Sequence, residues 1–481
     1  MVEIPLDRPW ELAITADQSA QLMAHLFCGD GDEHAAVLLA GLHVSDKCVR
    51  LLVRRVILAE EGVDHVSGER GYKMVRAQFM QPLLREARDQ NLVFLSVHNH
   101  GGRDSVDFSG DDLASHERGY PALLDIVDGP PVGALVYAQE AVAGDFWLPN
   151  GKRVKLDWST ILNSGRVIWR PKPLKQNVAV NDRYDRQVRL FGVAGQKILQ
   201  EAKVAIVGLG GAGSQIAELL GRLGVGQFVL IDPDRADVSN LPRLIAARRS
   251  DVLMTEETAS RYPRWKTVFD KLRRRKIDLA ARNILRANKS VKIEKIFGSI
   301  VDQSIAAKLL DVDFIFLAAD EMAARLVVNA IVHQYFIPAI QVGARVVSDA
   351  ESGDVQDVFA VSRPIWPDSG CLWCNGLIDP VKLQLEMTQS RQRAAQAYGT
   401  ESPAPSVVTL NALAVADAAN AFQFYLTGLA ANGAHKAYRR YRALRCDVVF
   451  EQPRKSETCT ECGISATSRF AKGDNMALPT R

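Results

Sequence analysis

The segment GLGGAGS at 208–214 lies between an apolar run, KVAIV, and a helical run, and its Gly208, Gly210 and Gly213 fit G-x-G-x-x-G. Glycines at this spacing let backbone N–H groups approach a phosphate at a helix N-terminus, where the macrodipole favours anions. Asp232 closes the next strand and is placed to bind ribose hydroxyls. Alone, this pattern points to NAD or a flavin. The residues that follow point elsewhere. Asn240 and Arg243 stand in SNLPR just past the carboxylate, Asp320 ends the run DFIFLAAD with Arg325 one turn later, and Arg183 and Arg186 lie upstream in RYDRQ. Hydride transfer has no use for so many phosphate-directed cations. Nucleotidyl transfer does, with Mg²⁺ on a carboxylate and cations on the triphosphate as pyrophosphate leaves. Taken singly, Arg243 or Arg325 reads as a surface ion pair.

Two further sets concern metals. Four of the seven cysteines form C-x-x-C pairs, Cys371/Cys374 and Cys459/Cys462, a spacing suited to tetrahedral zinc with thiolate ligands. The competing reading is a redox pair, but neither pair opens a thioredoxin-like strand–helix junction. Near the N-terminus, the strand LVFLSVHNH ends on His98 and His100, which share one face. An H-x-H alone is weak evidence. Ser109 and Asp112 follow in SGDD, and Asp112 supplies a third ligand, leaving a fourth position for water as catalytic zinc requires. A general base is needed as well, and Glu33 precedes a buried strand, AAVLLAG.

The pieces RYDRQ, GLGGAGS, Asp232, SNLPR, Asp320 with Arg325, CLWC and CTEC, in this order, resemble the ThiF/MoeB family of ubiquitin-activating enzymes over about 183–464. The resemblance implies ATP-dependent adenylation of the C-terminal glycine of a ubiquitin-like protein. It implies that Gly208, Gly210, Gly211, Gly213 and Ser214 cradle phosphates, that Asn240 and Arg243 hold the triphosphate, and that Asp320 carries Mg²⁺. Lys276, opening the helix KIDLAARNILRAN, would be the phosphate lysine, and Arg186 an arginine finger supplied across a homodimer interface. The cysteine pairs would form one structural zinc site pinning the segment between them. Thioester-forming members carry a catalytic cysteine in that segment. Here 375–445, including YGTESPAPSVVTLNA, has none, so the acyl-adenylate is expected to pass directly to an acceptor. Cys446, in the strand-like RCDVVF, reads as a buried small hydrophobe rather than a nucleophile.

Glu33, His98, His100, Ser109 and Asp112 are similar to the JAMM (Mov34/MPN/PAD-1) metallopeptidases, over about 20–145. Members cleave peptide or isopeptide bonds after the terminal glycine of ubiquitin-like proteins. The resemblance implies that Glu33 deprotonates a zinc-bound water and that Ser109 polarises the scissile carbonyl. Gly101 replaces the usual proline after the second histidine, and the gap to Ser109 is one residue longer than typical; neither removes a ligand. Together the two resemblances imply trimming or deconjugation of a modifier by one half and its activation by the other, as in bacterial ubiquitin-like conjugation, with a conjugating enzyme as a further partner. Two alternatives stand beside this: activation and trimming of a sulfur-carrier protein, and a nucleotide-binding scaffold whose metal site is inactive.

These residues need elements to hold them. Alternation of helical and β-branched apolar segments predicts an α/β domain over 1–164, a linker over 165–182, and a Rossmann-like, doubly wound parallel sheet over 183–464. Residues 248–275 read as a charged and aromatic insertion, and 465–481 as a polar, mobile tail. At 481 residues, with 47% hydrophobic and 24% charged residues and a net charge of +3, the chain has ordinary globular composition. Nothing calls for nucleic acid, although RRRK at 273–276 leaves room for an acidic partner. There is no signal peptide-like start and no apolar run long enough for a membrane span, so a cytoplasmic protein with reduced thiols is expected.

Overall fold

The computed structural model describes residues 4–66, 74–162, 165–173, 182–252, 261–265, 273–349, 352–392, 406–430 and 434–481. Part of the expected linker, much of the 248–275 insertion, and 393–405 within the cysteine-free segment lie outside the described residues. The chain divides into two compact units. One comprises Met1–Asn177, His333–Phe336 and Ser456–Ala477; the other comprises Val178–Val332, Ile337–Lys455 and Leu478–Arg481. Among the described residues, no helix is long and apolar enough to cross a membrane.

The first unit is built on β1 (Trp10–Thr15), α1 (Ala16–Leu26), β2 (Ala35–Val44), β3 (Val49–Leu58), the short pair β4 (His65–Val66) and β5 (Met74–Val75), α2 (Ala77–Asp89), β6 (Val93–Asn99), α3 (Gly110–Val127), β7 (Val132–Tyr137), β8 (Val142–Trp147), β9 (Arg153–Lys155), β10 (Trp158–Leu162) and β11 (Arg166–Trp169). Nine strands form one mixed sheet in the order β11-β10-β1-β3-β2-β6-β7-β8-β9. The runs AAVLLAGL and VFL are continuously apolar because β2 and β6 are covered on both faces. Leu38, Ala40 and Leu95 join the core on one side; Val37, Leu39 and Phe94 join the core on the other, with Leu83 of α2 and Tyr120 of α3. The register of the β2–β6 pair sets Ala35 opposite His98. Continued two residues outward, that antiparallel register brings Glu33 toward His100.

The second unit contains α4 (Asp185–Glu201), β12 (Lys203–Val207), α5 (Gly211–Leu223), β13 (Gln227–Ile231), α6 (Lys276–Ala287), β14 (Lys292–Ile296), β15 (Phe314–Leu317), α7 (Met322–Tyr335), β16 (Ala339–Ser348), β17 (Val355–Ile365), α8 (Pro380–Gln392), α9 (Val408–Thr427), β18 (Tyr438–Arg442) and β19 (Asp447–Glu451). Its sheet runs β14-β13-β12-β15-β16-β17-β18-β19. The first five strands are parallel and the rest form an antiparallel meander. The expected doubly wound parallel sheet therefore accounts for five of the eight strands. Strand order reverses at β12, which opens a crevice at the carboxyl ends of β12 and its neighbours, where such sheets bind ligands.

The expectation of a mobile tail from 465 does not hold. Ser468, Phe470, Ala471 and Lys472 are buried, and Phe470 packs on Phe336 with ring centroids 5.1 Å apart. Buried Arg54 on β3 donates to the carbonyls of Ser465 and Phe470 and to Ser468 Oγ at 3.1 Å. Asp474 accepts from the Val44 N–H at 2.9 Å and contacts His43 Nδ1 at 2.8 Å. The segment is polar because it is held by hydrogen bonds to polar groups of β2 and β3, a role that composition alone cannot distinguish from solvation. Phe470→Ala, which removes a buried ring, is expected to cost about 3 kcal/mol. A urea-unfolding midpoint equal to that of the unaltered protein would show that the tail is not packed in this way.

Candidate functional site

The carboxyl edge of the parallel strands in the second unit carries the glycine turn. Gly208 adopts φ +87°, and a Cβ on Gly213 would sit 1.9 Å from the Gly208 carbonyl oxygen, so the turn closes only with glycine at both positions. Gly211 is hemmed by Asn411 Nδ2, 2.5 Å from where its Cβ would be, and by the Arg243 side chain. Gly210 has open space in the same position. Ser214 Oγ donates to the Gly211 carbonyl at 3.2 Å and accepts from the Ile245 N–H at 3.1 Å, tying the loop after SNLPR to the start of α5.

Asp232 is buried at the end of β13 and accepts from the N–H groups of Leu209 (2.6 Å) and Asp234 (2.8 Å). Burial pushes its pKa up, while Lys276 and the two N–H groups pull the other way. Lys276, the first residue of α6, places Nζ 2.7 Å from Asp234 Oδ2 and 4.0 Å from Asp232 Oδ1. Asn240 accepts from the Asp237 N–H at 3.2 Å and donates to Ser239 Oγ at 3.4 Å, so its amide holds the local turn. The structure thus gathers the glycines, Ser214, Asp232, Lys276 and Arg243 around one turn. Asp320 is exposed past the end of β15, and Arg186 is exposed on α4. Arg325 donates to the Leu377 carbonyl at 2.9 Å; burial lowers its pKa, and Asp320 and Glu386 oppose that.

Two residues of this region carry no motif. Asn411, on α9, closes over Gly211, and Glu386, on α8, accepts from the N–H groups of Met322 and Ala323 at 3.0 Å each. Glu386 lines a cavity of about 160 Å³ with Pro233, Ser299, Val301, Glu321 and Arg481. Neither position follows from local spacing, since each acts on a residue far away in sequence.

Cys371 and Cys374 lie in the second unit, Cys459 and Cys462 in the first. The Cys374 N–H points at Cys371 Sγ and the Glu461 N–H at Cys459 Sγ, both at 3.4 Å. Peptide donors aimed at sulfur suit thiolates held on a metal, so the donor set fits zinc. Cys446 corrects the sequence reading. It is exposed in the turn between β18 and β19 at φ +50°, its thiol directed to the Ala443 carbonyl, and is neither in a strand nor buried.

In the first unit, the ligand atoms of His98, His100 and Asp112 also lie within 4.8 Å of one another. The two Nε2 atoms are 3.2 Å apart, and Asp112 stands 3.6 Å from one and 3.4 Å from the other. His100 Nδ1 faces the Asp107 carbonyl at 3.2 Å, which turns Nε2 inward. Ser109 is the N-cap of α3; its Oγ donates to Asp112 Oδ2 at 2.7 Å and accepts from the Asp112 N–H at 3.1 Å. Burial raises the Asp112 pKa, but His98 and Ser109 outweigh it and hold the carboxyl well below the usual range. Glu33 Oε1 is 3.7 Å from His100 Nε2. Two imidazoles, a carboxylate and a nearby second carboxylate are a donor set that fits a three-ligand zinc ion with water in the fourth position.

The family model described as the ThiF family matches residues 184–464. The chain belongs to the ThiF family. Similar curated proteins include the molybdopterin-synthase adenylyltransferase of Escherichia coli, 29% identical over 150 residues, which are 31% of this chain and 52% of that enzyme. The ubiquitin-like modifier-activating enzyme 5 of Drosophila willistoni is 28% identical over 188 residues, 37% of this chain and 39% of that one. The chain thus spans about half or less of the length of these relatives. A crystal structure of E. coli MccB with succinimide is 21% identical at a TM-score of 0.42, covering 59% of this chain and 75% of that one.

The glycine turn of this ThiF-family chain gives a contrast within one motif. Gly213→Ala forces a methyl group into the Gly208 carbonyl and is expected to cost about 1–3 kcal/mol. Gly210→Ala, with open space, is expected to leave thermal stability unchanged. Equal melting temperatures for the two variants would contradict the turn geometry.

Proposed function

We propose that this ThiF-family protein adenylates the C-terminal glycine carboxylate of a ubiquitin-like protein. The reading is supported above all by Lys276 and Arg243 lying beside a glycine turn that only glycine can close. The substrate carboxylate attacks the α-phosphorus of ATP, the bond from that phosphorus to the bridging oxygen of the β-phosphate breaks, and pyrophosphate leaves. Gly208, Gly210, Gly211, Gly213 and Ser214 offer backbone and hydroxyl groups to the phosphates, and Asp232 takes the ribose. Lys276, Asn240, Arg243 and Arg325 meet the charge that builds on pyrophosphate, Asp320 would hold Mg²⁺, and Arg186 would reach the site from a second copy in a homodimer. A sulfur-carrier protein is the alternative substrate, consistent with the names of several similar enzymes. With no cysteine in 375–445, the acyl-adenylate passes straight to its acceptor in either case, with or without a conjugating enzyme. Zinc on the four paired cysteines would be structural.

The convergence of His98, His100 and Asp112 with Glu33 favours a second activity, JAMM-type hydrolysis of a bond after the modifier's terminal glycine. A zinc ion bound there supplies a Lewis acid and an acidified water. Glu33 would take a proton from the attacking water and return it to the leaving amine, and the Ser109 hydroxyl would turn to donate to the developing oxyanion.

Two assays separate these activities from a nucleotide-binding scaffold. ATP–pyrophosphate exchange stimulated by a glycine-tailed ubiquitin-like protein is expected to fall about a hundredfold or more in Asp320→Ala; unchanged exchange overturns the assignment of that carboxylate. Cleavage of a tail-extended modifier is expected to drop about a hundred- to ten-thousandfold in Glu33→Ala. Cleavage that persists in this variant removes the metallopeptidase reading and leaves adenylation standing.

A further inference from the structure

The loop between α1 and β2, CGDGDEH at 28–34, brings together three donors that neither proposed activity uses. Cys28, Asp30 and His34 offer ligand atoms within 4.8 Å of one another. Cys28 Sγ is 3.2 Å from His34 Nε2, and the two Asp30 oxygens are 3.0 and 2.9 Å from the same nitrogen. The loop folds back because Gly29 and Gly31 both adopt positive φ, +96° and +78°, on either side of Asp30. His34 is buried and fixed by its own N–H, which donates to Asn99 Oδ1 at 2.7 Å. Cys28 and Asp30 are exposed.

A thiol, an imidazole and a carboxylate in contact invite comparison with a nucleophilic triad, and the geometry excludes it. In a triad the carboxylate holds one ring nitrogen while the other faces the nucleophile. Here the thiol and the carboxylate both address Nε2. Three unlike donor atoms lying within 4.8 Å of one another can instead close on one metal, which takes the place of the shared protons. An ordinary Asp–His ion pair has no need of the thiol.

We propose that Cys28, Asp30 and His34 form a further metal site, taking Zn²⁺ with water as fourth ligand. The donor set selects the metal class. Thiolate and imidazole favour Zn²⁺ over Mg²⁺ or Ca²⁺, which take oxygen ligands. Ligands at bond lengths of roughly 2.0–2.3 Å around one tetrahedral zinc stand about 3.3–3.8 Å apart, so the exposed Cys28 and Asp30 side chains need only draw back by less than about 1 Å to admit the ion. A consequence follows that rests on the metallopeptidase reading: Glu33 lies inside the chelating loop, so metal on the loop restrains the backbone that carries the general base.

The test measures zinc content and is independent of any cleavage assay. In the full chain carrying His98→Ala and His100→Ala, zinc per chain is read by elemental mass spectrometry after loading with Zn²⁺ and desalting. Adding Cys28→Ser or Asp30→Asn, both at exposed positions, is expected to remove one zinc equivalent and leave the melting temperature within a degree or two. Equal zinc content with and without Cys28→Ser overturns the site. Should the proposed metallopeptidase assignment fail, Glu33→Ala still cleaves, whereas failure of the loop site leaves zinc content unmoved by Cys28→Ser.

Discussion

A buried carboxylate holds the glycine turn in place. Asp232 ends β13 with almost no exposure, and its two oxygens accept the Leu209 and Asp234 N–H groups. One bond ties it to the turn leaving β12, the other to the loop leaving β13, and these strands adjoin where the order reverses. Burying a charge is costly unless it is paired and hydrogen-bonded. Lys276 offsets that cost from 4.0 Å, and its shorter contact with Asp234 holds its ammonium beside the end of β13. The turn is therefore held by interactions within the chain itself, so a ligand entering the crevice need not order it.

How much of this was legible in the sequence follows from how local each interaction is. The glycine turn and Asp232 were legible because strand, turn and helix are contiguous and β13 is the next strand in the chain. Lys276 was legible as the start of a helix, but its pairing with Asp234 was not, because the intervening segment carries no periodicity. Asn411 and Glu386 reach the site from helices whose sequences say nothing about Gly211 or the start of α7. The parallel strands announced themselves through apolar runs, and RCDVVF read as strand-like where β19 lies, whereas the arginine-rich YRRYR of β18 has no apolar run to announce it. The tail was misread for a related reason. Its polar residues satisfy β-strand partners more than 400 residues earlier in the chain, and no local pattern encodes such a partner.

The candidate metal ligands of the first unit show the same division. His98 and His100 were readable as one face of a strand, and Ser109 with Asp112 as a capping box, since both are local rules. That these two local features meet depends on the passage from β6 to the N-terminus of α3. That Glu33 joins them depends on the β2–β6 register. A shift of one residue in that register would turn the flanking side chains to the opposite face, which the two apolar cores on either side of β2 forbid. Packing of Val37 and Leu39 against one core and Leu38 and Ala40 against the other is thus what aims a carboxylate at an imidazole several residues away.

The helix N-termini of the second unit are not equivalent. A helix start attracts an anion because its first N–H groups lack partners within the helix. At α7 that demand is already met, since the Glu386 carboxylate accepts from both Met322 and Ala323. An incoming phosphate there would have to displace a carboxylate bound within the same unit and would meet its charge. At α5 the approach is different. Asp232 takes the Leu209 N–H, one residue before the turn's second glycine, and space is open over Gly210. The cation of Lys276 and the stem of Arg243 flank this helix start. Charge and open space therefore coincide at α5 and conflict at α7, so an anionic group is better accommodated at the glycine turn than at the start of α7.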